Sequence, residues 1–218
     1  MIDPDKFNPD LIKLANNCNV AYIFVGGSLL IKNTINKIIK SIKTITQIPV
    51  IIFPGDFSQL SKLADGILIP SLLSGRNTDY LIEKHVKAAT KLKSSKIKTI
   101  PLGYILVGGG FKSTTEKVTK TKPLISKKEI INTAIAGELL GKKIIYLEAG
   151  SGAKHTVLNS IIKDVKKQIS IPLIVGGGID SVSKAKKIIK TNPDYLVIGN
   201  ALEKMPQLIL ELSILFNS

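Results

Sequence analysis

Short β-branched runs alternate along this chain with longer lysine-rich stretches of helical period, and that alternation limits the fold more than any other feature. The strand-like runs are VAYIFV from Val20, VIIF from Val50, ILI from Ile67, TIPLGYILV from Thr99, KIIYLE from Lys143, PLIVGG from Pro172 and YLVIG from Tyr195. Helical patterns occupy 9–16, 34–46, 78–91, 127–140, 157–168, 182–190 and 204–216. Strand and helix in strict alternation mark parallel βα units. With Ile2-Asp3 as the stub of a first strand the count reaches eight, which predicts an α/β fold, the TIM (β/α)8 barrel, with a short first strand. No linker or compositional break divides the 218 residues, so residues 1–218 are expected to form a single domain.

Two irregularities interrupt the pattern. From Pro54 to Gly66 there is room for only a turn or two of helix, so the third βα unit is expected to be incomplete. Apolar strand surface left uncovered there would suit an apolar ligand, or would be covered by a neighbouring helix or subunit. The second is Gly108-Gly109-Gly110 followed by FKSTTEKVTKTKP. Its place after the fifth strand marks either a lid, with Lys112, Lys117, Lys120 and Lys122 able to swing over an anion, or a disordered loop.

Composition narrows the function classes. A formal charge of +15 suits phosphorylated substrates, nucleic acid or an anionic membrane surface without choosing among them, and most lysines read as solvated helix faces. Cys18 is the only cysteine, which excludes an intrachain disulfide and a thiolate metal cluster and fits a reducing cytoplasm. No apolar run approaches the ~18 residues of a membrane span, and charges at Asp3, Asp5 and Lys6 argue against a signal peptide. Arg76, in SGRN, is the sole arginine among 31 basic residues. Its planar fork matches diphosphate, although a surface loop arginine is an equal reading.

The chemistry is expected where YLEAGSGA ends the sixth strand, because α/β folds build their sites at the carboxyl ends of strands. Glu148 is the carboxylate there. VGGGIDS from Val175 and IGNA from Ile198 follow the last two strands, where glycines let backbone N–H groups approach a phosphate. Gly177, Gly178, Gly199 and Asn200 are the candidates, with Ser151 as a third wall, while Asp180 or Ser181 can cap the following helix. Glu148 would repel phosphate but accept hydrogen bonds from glycerol or sugar hydroxyls, so a small polyol phosphate fits; a structural partner for a lysine is the plainer reading. Asp3 in IDPDK and Ser28 in VGGS offer a carboxylate and a hydroxyl, a donor set suited to Mg²⁺ that completes its shell with water and substrate phosphates. Such a mouth implies a transferase.

In order and over nearly the whole chain, IDPDK, VGGS, FPGD, PSLLSGRN, PLGYILVGG, YLEAGSGA, VGGGI and IGNA resemble the geranylgeranylglyceryl phosphate synthases of archaea and some bacteria, relatives of the heptaprenylglyceryl phosphate synthases. YLEAGSGA resembles the second group of that family. The resemblance implies a modified TIM barrel with an incomplete third βα unit that makes the first ether bond of archaeal-type lipids. It implies sn-glycerol 1-phosphate binding by Tyr146, Leu147, Glu148, Ala149, Gly150, Ser151 and Gly152 with Gly177, Gly178, Gly199 and Asn200, and Mg²⁺ binding by Asp3 and Ser28. It also implies a polyprenyl tail for the apolar groove, peripheral membrane association through the lipid substrate, and a homo-oligomer, often a hexamer in this group. Only Met1 and Ile2 precede Asp3, where the family carries a further helix and a longer strand.

The reaction so implied transfers a prenyl group, geranylgeranyl by the resemblance, from its diphosphate to the 3-hydroxyl of sn-glycerol 1-phosphate. Glu148 at its ordinary pKa of about 4.3 is too weak to deprotonate a free alcohol beforehand, so it is expected to hold the hydroxyl and take its proton as the C–O bond forms. Two other classes compete. Flavin-linked oxidoreductases and sugar-phosphate isomerases share the glycine loops; a basic nucleic-acid-binding barrel rests on charge alone and lacks aromatic stacking residues, at 5% aromatics. His85 and His155 form no local metal motif, and Tyr104 either lines the groove or packs in the core.

Overall fold

The computed structural model describes residues 1–27, 34–56, 58–108, 110 and 112–216; Ser28, the hydroxyl expected at the metal site, lies outside them. The described chain forms two compact units, Met1–Ile69 with His85–Thr99 and Gly199–Ser218, and Pro70–Lys84 with Ile100–Ile198. Seven strands follow chain order in the sheet, and the pairings described below are all parallel. This is the connectivity of a (β/α)8 barrel with its first strand cut short.

In the first unit the expected stub is present as a single parallel bridge, Ile2 to Val25, closed by Ile2 N–H to Phe24 O (2.7 Å) and Gly26 N–H to Ile2 O (3.1 Å). Strand β1 (Ile23–Val25) pairs with β2 (Val50–Ile52), and β2 with the start of β3 (Gly66–Leu72). Helix α1 (Pro9–Ala15) starts at an Asn8 side-chain cap with proline in its first turn. Helix α2 (Ile35–Ile45) buries Ile35, Ile38, Ile39 and Ile42, the i, i+3, i+4, i+7 stripe of a helix covering a sheet. Between β2 and β3 the described residues make turns and no helix, as expected for the third unit. There the buried Gln59 side chain donates to Gly27 O (2.9 Å) and accepts from Gly55 N–H (3.3 Å). A buried amide thus holds that turn in place of a covering helix.

The chain enters the second unit within β3. A π-helical turn, Asp79–Glu83, leads into α3 (Lys84–Ser95), which from His85 onward belongs to the first unit, and β4 (Thr99–Leu106) returns the chain to the second at Ile100. Strands β4, β5 (Ile144–Glu148), β6 (Leu173–Gly176) and β7 (Tyr195–Val197) pair in that order, and β5 and β6 are buried almost end to end, as strands covered on both faces must be. Helices α4 (Thr114–Thr119), α5 (Lys127–Leu139), α6 (Asn159–Gln168) and α7 (Val182–Ile189) complete this unit, and the short α8 (Asn200–Lys204) and α9 (Leu208–Ile214) belong to the first.

Three local expectations change. The FKSTTEKVTKTKP segment contains α4, started by a capping box in which Ser113 Oγ accepts from Glu116 N–H and Glu116 Oε2 accepts from Ser113 N–H. The segment is also pinned beyond α4 by the Val107 to Leu124 bridge. The helix expected over 204–216 is divided at Met205-Pro206, because proline lacks the N–H a continuing helix needs. Val20 to Tyr22 stay outside β1.

Gly26, at the end of β1, lies against the backbone of Phe53, where a Cβ would meet the carbonyl oxygen and stand 2.8 Å from the carbonyl carbon. Gly26→Ala is therefore expected to cost about 3 kcal/mol, the upper end of overpacking, read as a fall in Tm of roughly 6–12 °C. An unchanged melting curve would contradict this close approach.

Candidate active site

Tyr146 and Glu148 lie two residues apart on β5 and so face the same side of the sheet, while Leu147 faces the other. All three are buried, Glu148 at 8% exposure. The Tyr146 hydroxyl donates to Glu148 Oε2, and the Gly150 N–H donates to Oε1 at 3.1 Å. Both oxygens are therefore oriented. Burial dominates the electrostatics and pushes the Glu148 carboxyl up to about 7, with the Gly150 N–H pulling the other way. The value of 4.3 expected for a free side chain does not describe this residue.

The glycines after β6 make room for that carboxylate. At Gly177 (φ +82°) a Cβ would stand 2.7 Å from Glu148 Oε1 and from Gly150 N, and 2.8 Å from Ala149 N. Any side chain there would collide with the carboxylate and its loop together. At Gly178 (φ +70°) a Cβ would stand 2.7 Å from His155 O and 3.1 Å from Ala153 O. Gly176 lies against the Tyr146 hydroxyl in the same way. The loop after β6 is thus laid along the loop after β5, residue against residue, with Ala149 N–H to Gly176 O (3.0 Å) beginning the seam.

From β4, Tyr104 packs edge-on to Tyr146 (ring centroids 5.3 Å apart) and its hydroxyl lies 3.4 Å from Thr115 Oγ1 on α4. Burial, and secondarily the nearby Glu148 carboxylate, raise the Tyr104 hydroxyl well above its ordinary range, so it stays protonated. Of the two readings open in the sequence, the packed one describes it. The buried Ser113 abuts Gly150, which ties the α4 cap to the loop after β5. Ser113, Thr115 and Glu116 were not singled out from sequence; the signal available was the S-x-x-E spacing of a capping box. Gly110 approaches the ring of His155, another residue sequence reading set aside.

Tyr146, Leu147, Glu148, Ala149, Gly150, Gly177 and Gly178 are therefore brought together in one unit, with Ser151 and Gly152 exposed at the tip of the same loop. Arg76 is in this unit too, in left-handed conformation (φ 50°) where it ends the short 3-10 turn Leu73–Gly75 that follows β3. Its guanidinium donates to Leu73 O and to Thr133 Oγ1 (2.9 Å) and stands 3.8 Å from Glu129, on the wall of an open cleft of about 430 Å³ along α5. Asp3, Gly199 and Asn200 lie in the other unit. Gly199 precedes α8 and sits beside the backbone of Met1, 3.5 Å from its carbonyl oxygen to a built Cβ, which leaves room for a side chain. One Asp3 oxygen caps the following turn through Asp5 N–H (3.0 Å), and the other is 3.8 Å from Lys6, whose stronger partner is Glu203 at 3.1 Å.

Among the described residues there is no cluster of three or more His, Cys, Asp or Glu able to hold a metal by itself. Asp3, with one carboxylate oxygen held only by a long and exposed ion pair, fits the minimal protein contribution to a Mg²⁺ that takes its other ligands from water and phosphate.

Chemically, this constellation offers a proton acceptor of near-neutral pKa beside a seam of glycine N–H groups. The raised pKa has a sign that can be tested. Between pH 4.5 and about 7 the folded protein holds a proton on Glu148 that the unfolded chain has lost, so this group's contribution to stability falls as pH rises through that window and is flat above it. Glu148→Gln removes the titration. The variant is expected to gain on the wild type by about 3 kcal/mol between pH 4.5 and 8 in urea-unfolding series, and parallel stability curves would contradict the buried acid.

The PcrB family's model matches residues 1–213. The chain is 44% identical to the geranylgeranylglyceryl phosphate synthase of Chitinophaga pinensis, over 98% of this chain and 87% of that one, and 39% identical to that of Pyrococcus furiosus, over 93% and 83%. Among solved structures it resembles (S)-3-O-geranylgeranylglyceryl phosphate synthase from Thermoplasma acidophilum in complex with sn-glycerol-1-phosphate, at a TM-score of 0.91 and 31% identity, covering 98% of this chain and 90% of that one. A thiamine phosphate pyrophosphorylase from Pyrococcus furiosus, 13% identical with a TM-score of 0.65 over 99% of this chain and 93% of that one, shares the fold alone. On its motifs, its barrel connectivity and these matches together, the chain belongs to the PcrB family.

Proposed function

We propose that this protein is a geranylgeranylglyceryl phosphate synthase-type prenyltransferase, joining a polyprenyl diphosphate to the 3-hydroxyl of sn-glycerol 1-phosphate with release of diphosphate. The observation that carries the reading is the buried Glu148 carboxylate, raised to about 7, at the carboxyl end of β5 against Gly177. A carboxylate in that state is a far better proton acceptor near neutral pH than a free glutamate. The names of the relatives, and the glycerol phosphate in the Thermoplasma acidophilum complex, support the substrate assignment.

In this mechanism the phosphate of sn-glycerol 1-phosphate rests on backbone N–H groups of Ser151, Gly152, Gly177 and Gly178, while the Gly150 N–H stays on Glu148 Oε1. Gly199 and Asn200 are proposed as phosphate ligands from the sequence motif alone. Glu148 accepts a hydrogen bond from the 3-hydroxyl, and Tyr146 fixes which carboxylate oxygen does so. The prenyl C1–O bond to diphosphate breaks, its electron pair leaving with the diphosphate. The glycerol oxygen bonds to C1, and its proton passes to Glu148. Asp3 and Ser28 would hold Mg²⁺, which when bound neutralises charge on the departing diphosphate. Arg76 and Lys112, Lys117, Lys120 and Lys122 are the further cations proposed for that diphosphate. Geranylgeranyl is the prenyl group in the relatives' names; the apolar tail is assigned to the strand surface beside the third unit, whose described residues form no helix. Peripheral contact with the membrane through the lipid substrate and assembly into a homo-oligomer, a hexamer by analogy with the second group, complete the proposal. No helix among the described residues is long and apolar enough to cross a membrane.

The test is a mass-spectrometric assay with Mg²⁺, sn-glycerol 1-phosphate and polyprenyl diphosphates of several lengths. A prenylglyceryl phosphate is expected, lost when the other glycerol phosphate enantiomer is supplied or when EDTA is added, and restored by Mg²⁺. Glu148→Gln is expected to lower kcat by about 10²–10⁴, the range for removal of a general base. The wild-type rate should rise with pH through a value near 7, the carboxylate form being the active one. Near-normal turnover in Glu148→Gln would remove Glu148 from the mechanism.

A further inference from the structure

The seam between the two glycine loops has an outer fastening that the mechanism does not use. Lys184, in the first turn of α7, turns its ammonium back onto Lys154 O (3.2 Å), Gly178 O (3.2 Å) and Asp180 Oδ2 (2.7 Å). An ammonium has three N–H donors, and here each finds an oxygen. One acceptor belongs to the loop after β5 and two to the loop after β6. Inside this contact, Gly177 lies on Glu148 and Gly150, and Gly178 on Ala153 and His155. The order along the seam is therefore Glu148, the two glycines, then Lys184.

A surface ion pair would be a poor argument, since exposed pairs contribute about 0–1 kcal/mol. The Lys184 side chain is 32% exposed, however, and two of its three acceptors are backbone carbonyls of two separate loops. Those carbonyls move only if the loops move. Asp180 confirms the pairing from its side, its carboxyl held below the ordinary range chiefly by the hydrogen bond from Lys184. The backbone N–H of Lys184 meanwhile caps onto Ser181 Oγ (3.4 Å), so the residue is fixed to the start of α7 at both ends.

We infer that Lys184 is a positioning residue that clasps the loops after β5 and β6 at the spacing sn-glycerol 1-phosphate requires, setting affinity for that substrate without touching it. The inference rests on the phosphate-site reading above. It separates from a general electrostatic role by sign. If Lys184 acted only as a positive charge near a phosphate, removing the negative charge of its neighbour in Asp180→Asn would improve glycerol phosphate binding. If Lys184 acts as a clasp, Asp180→Asn takes the charge from the acceptor of its shortest hydrogen bond, loosens that bond and weakens binding.

The experiment compares wild type, Lys184→Met, Asp180→Asn and Gly177→Ala by calorimetric titration with sn-glycerol 1-phosphate and by steady-state kinetics with both substrates varied. Lys184→Met is expected to raise Kd and KM for glycerol phosphate about tenfold while KM for the prenyl diphosphate and kcat stay within about twofold. Asp180→Asn is expected to raise the same KM two- to fivefold, and Lys184→Arg, which keeps several donors on a cation, to recover part of the loss. Tighter binding by Asp180→Asn, or a uniform fall in kcat and in affinity for both substrates with Lys184→Met, would overturn the clasp. Gly177→Ala puts a methyl on the Glu148 carboxylate and must abolish glycerol phosphate binding. If it does not, the phosphate-site reading itself fails, and the role of Lys184 fails with it.

Discussion

Burial of one carboxylate against one glycine is the constraint around which the second unit is organised. Glu148 ends a strand buried on both faces, and Gly177 is the residue that allows the next loop to close over it. A larger residue at Gly177 would collide with Oε1 and with two loop nitrogens at once. The same closure takes water from the carboxylate, raises its pKa and brings backbone N–H groups into one place. Shape and acidity therefore have a single origin, and the proposed anion site shares it.

This coupling gives the site a cost to the fold. An ionised carboxylate held out of water destabilises the native state, and the Tyr146 hydroxyl and Gly150 N–H offset only part of that. Perturbed groups of this kind gather where function needs them. The surrounding structure supplies rigidity in return: Tyr104 packed edge-on to Tyr146, Ser113 wedged at Gly150, and Lys184 across the loop ends. The helix-free third unit represents the same trade elsewhere, with the buried Gln59 amide replacing what a covering helix would do.

Much of this was legible in the sequence because it depends on local pattern. Strands β2, β5 and β6 announce themselves as apolar β-branched runs, α2 by its isoleucine spacing, and the stub at Ile2 by the need for an eighth strand before Asp3. Glu148 and the glycines were identifiable from position at strand ends. The α4 helix was hidden because Gly108 to Gly110 and the polar residues after them outweighed a four-residue capping signal. The break at Pro206 was readable but was overridden by the apolar stripe continuing to Leu212. What no local pattern could reveal is tertiary: the acidity of Glu148, the stacking of Tyr104, and the three oxygens that converge on Lys184 from two loops far apart in sequence.

The most direct measurement is a ¹³C NMR titration of the Glu148 side-chain carboxyl in ligand-free protein, assigned by comparison with Glu148→Gln, and repeated with saturating sn-glycerol 1-phosphate. The account predicts a midpoint near 7 in the free protein and a resonance that responds to glycerol phosphate but not to inorganic phosphate, because only the former carries a hydroxyl to the carboxylate. A midpoint near 4.5 that is indifferent to both would show a solvated, structural glutamate and contradict the account at its centre.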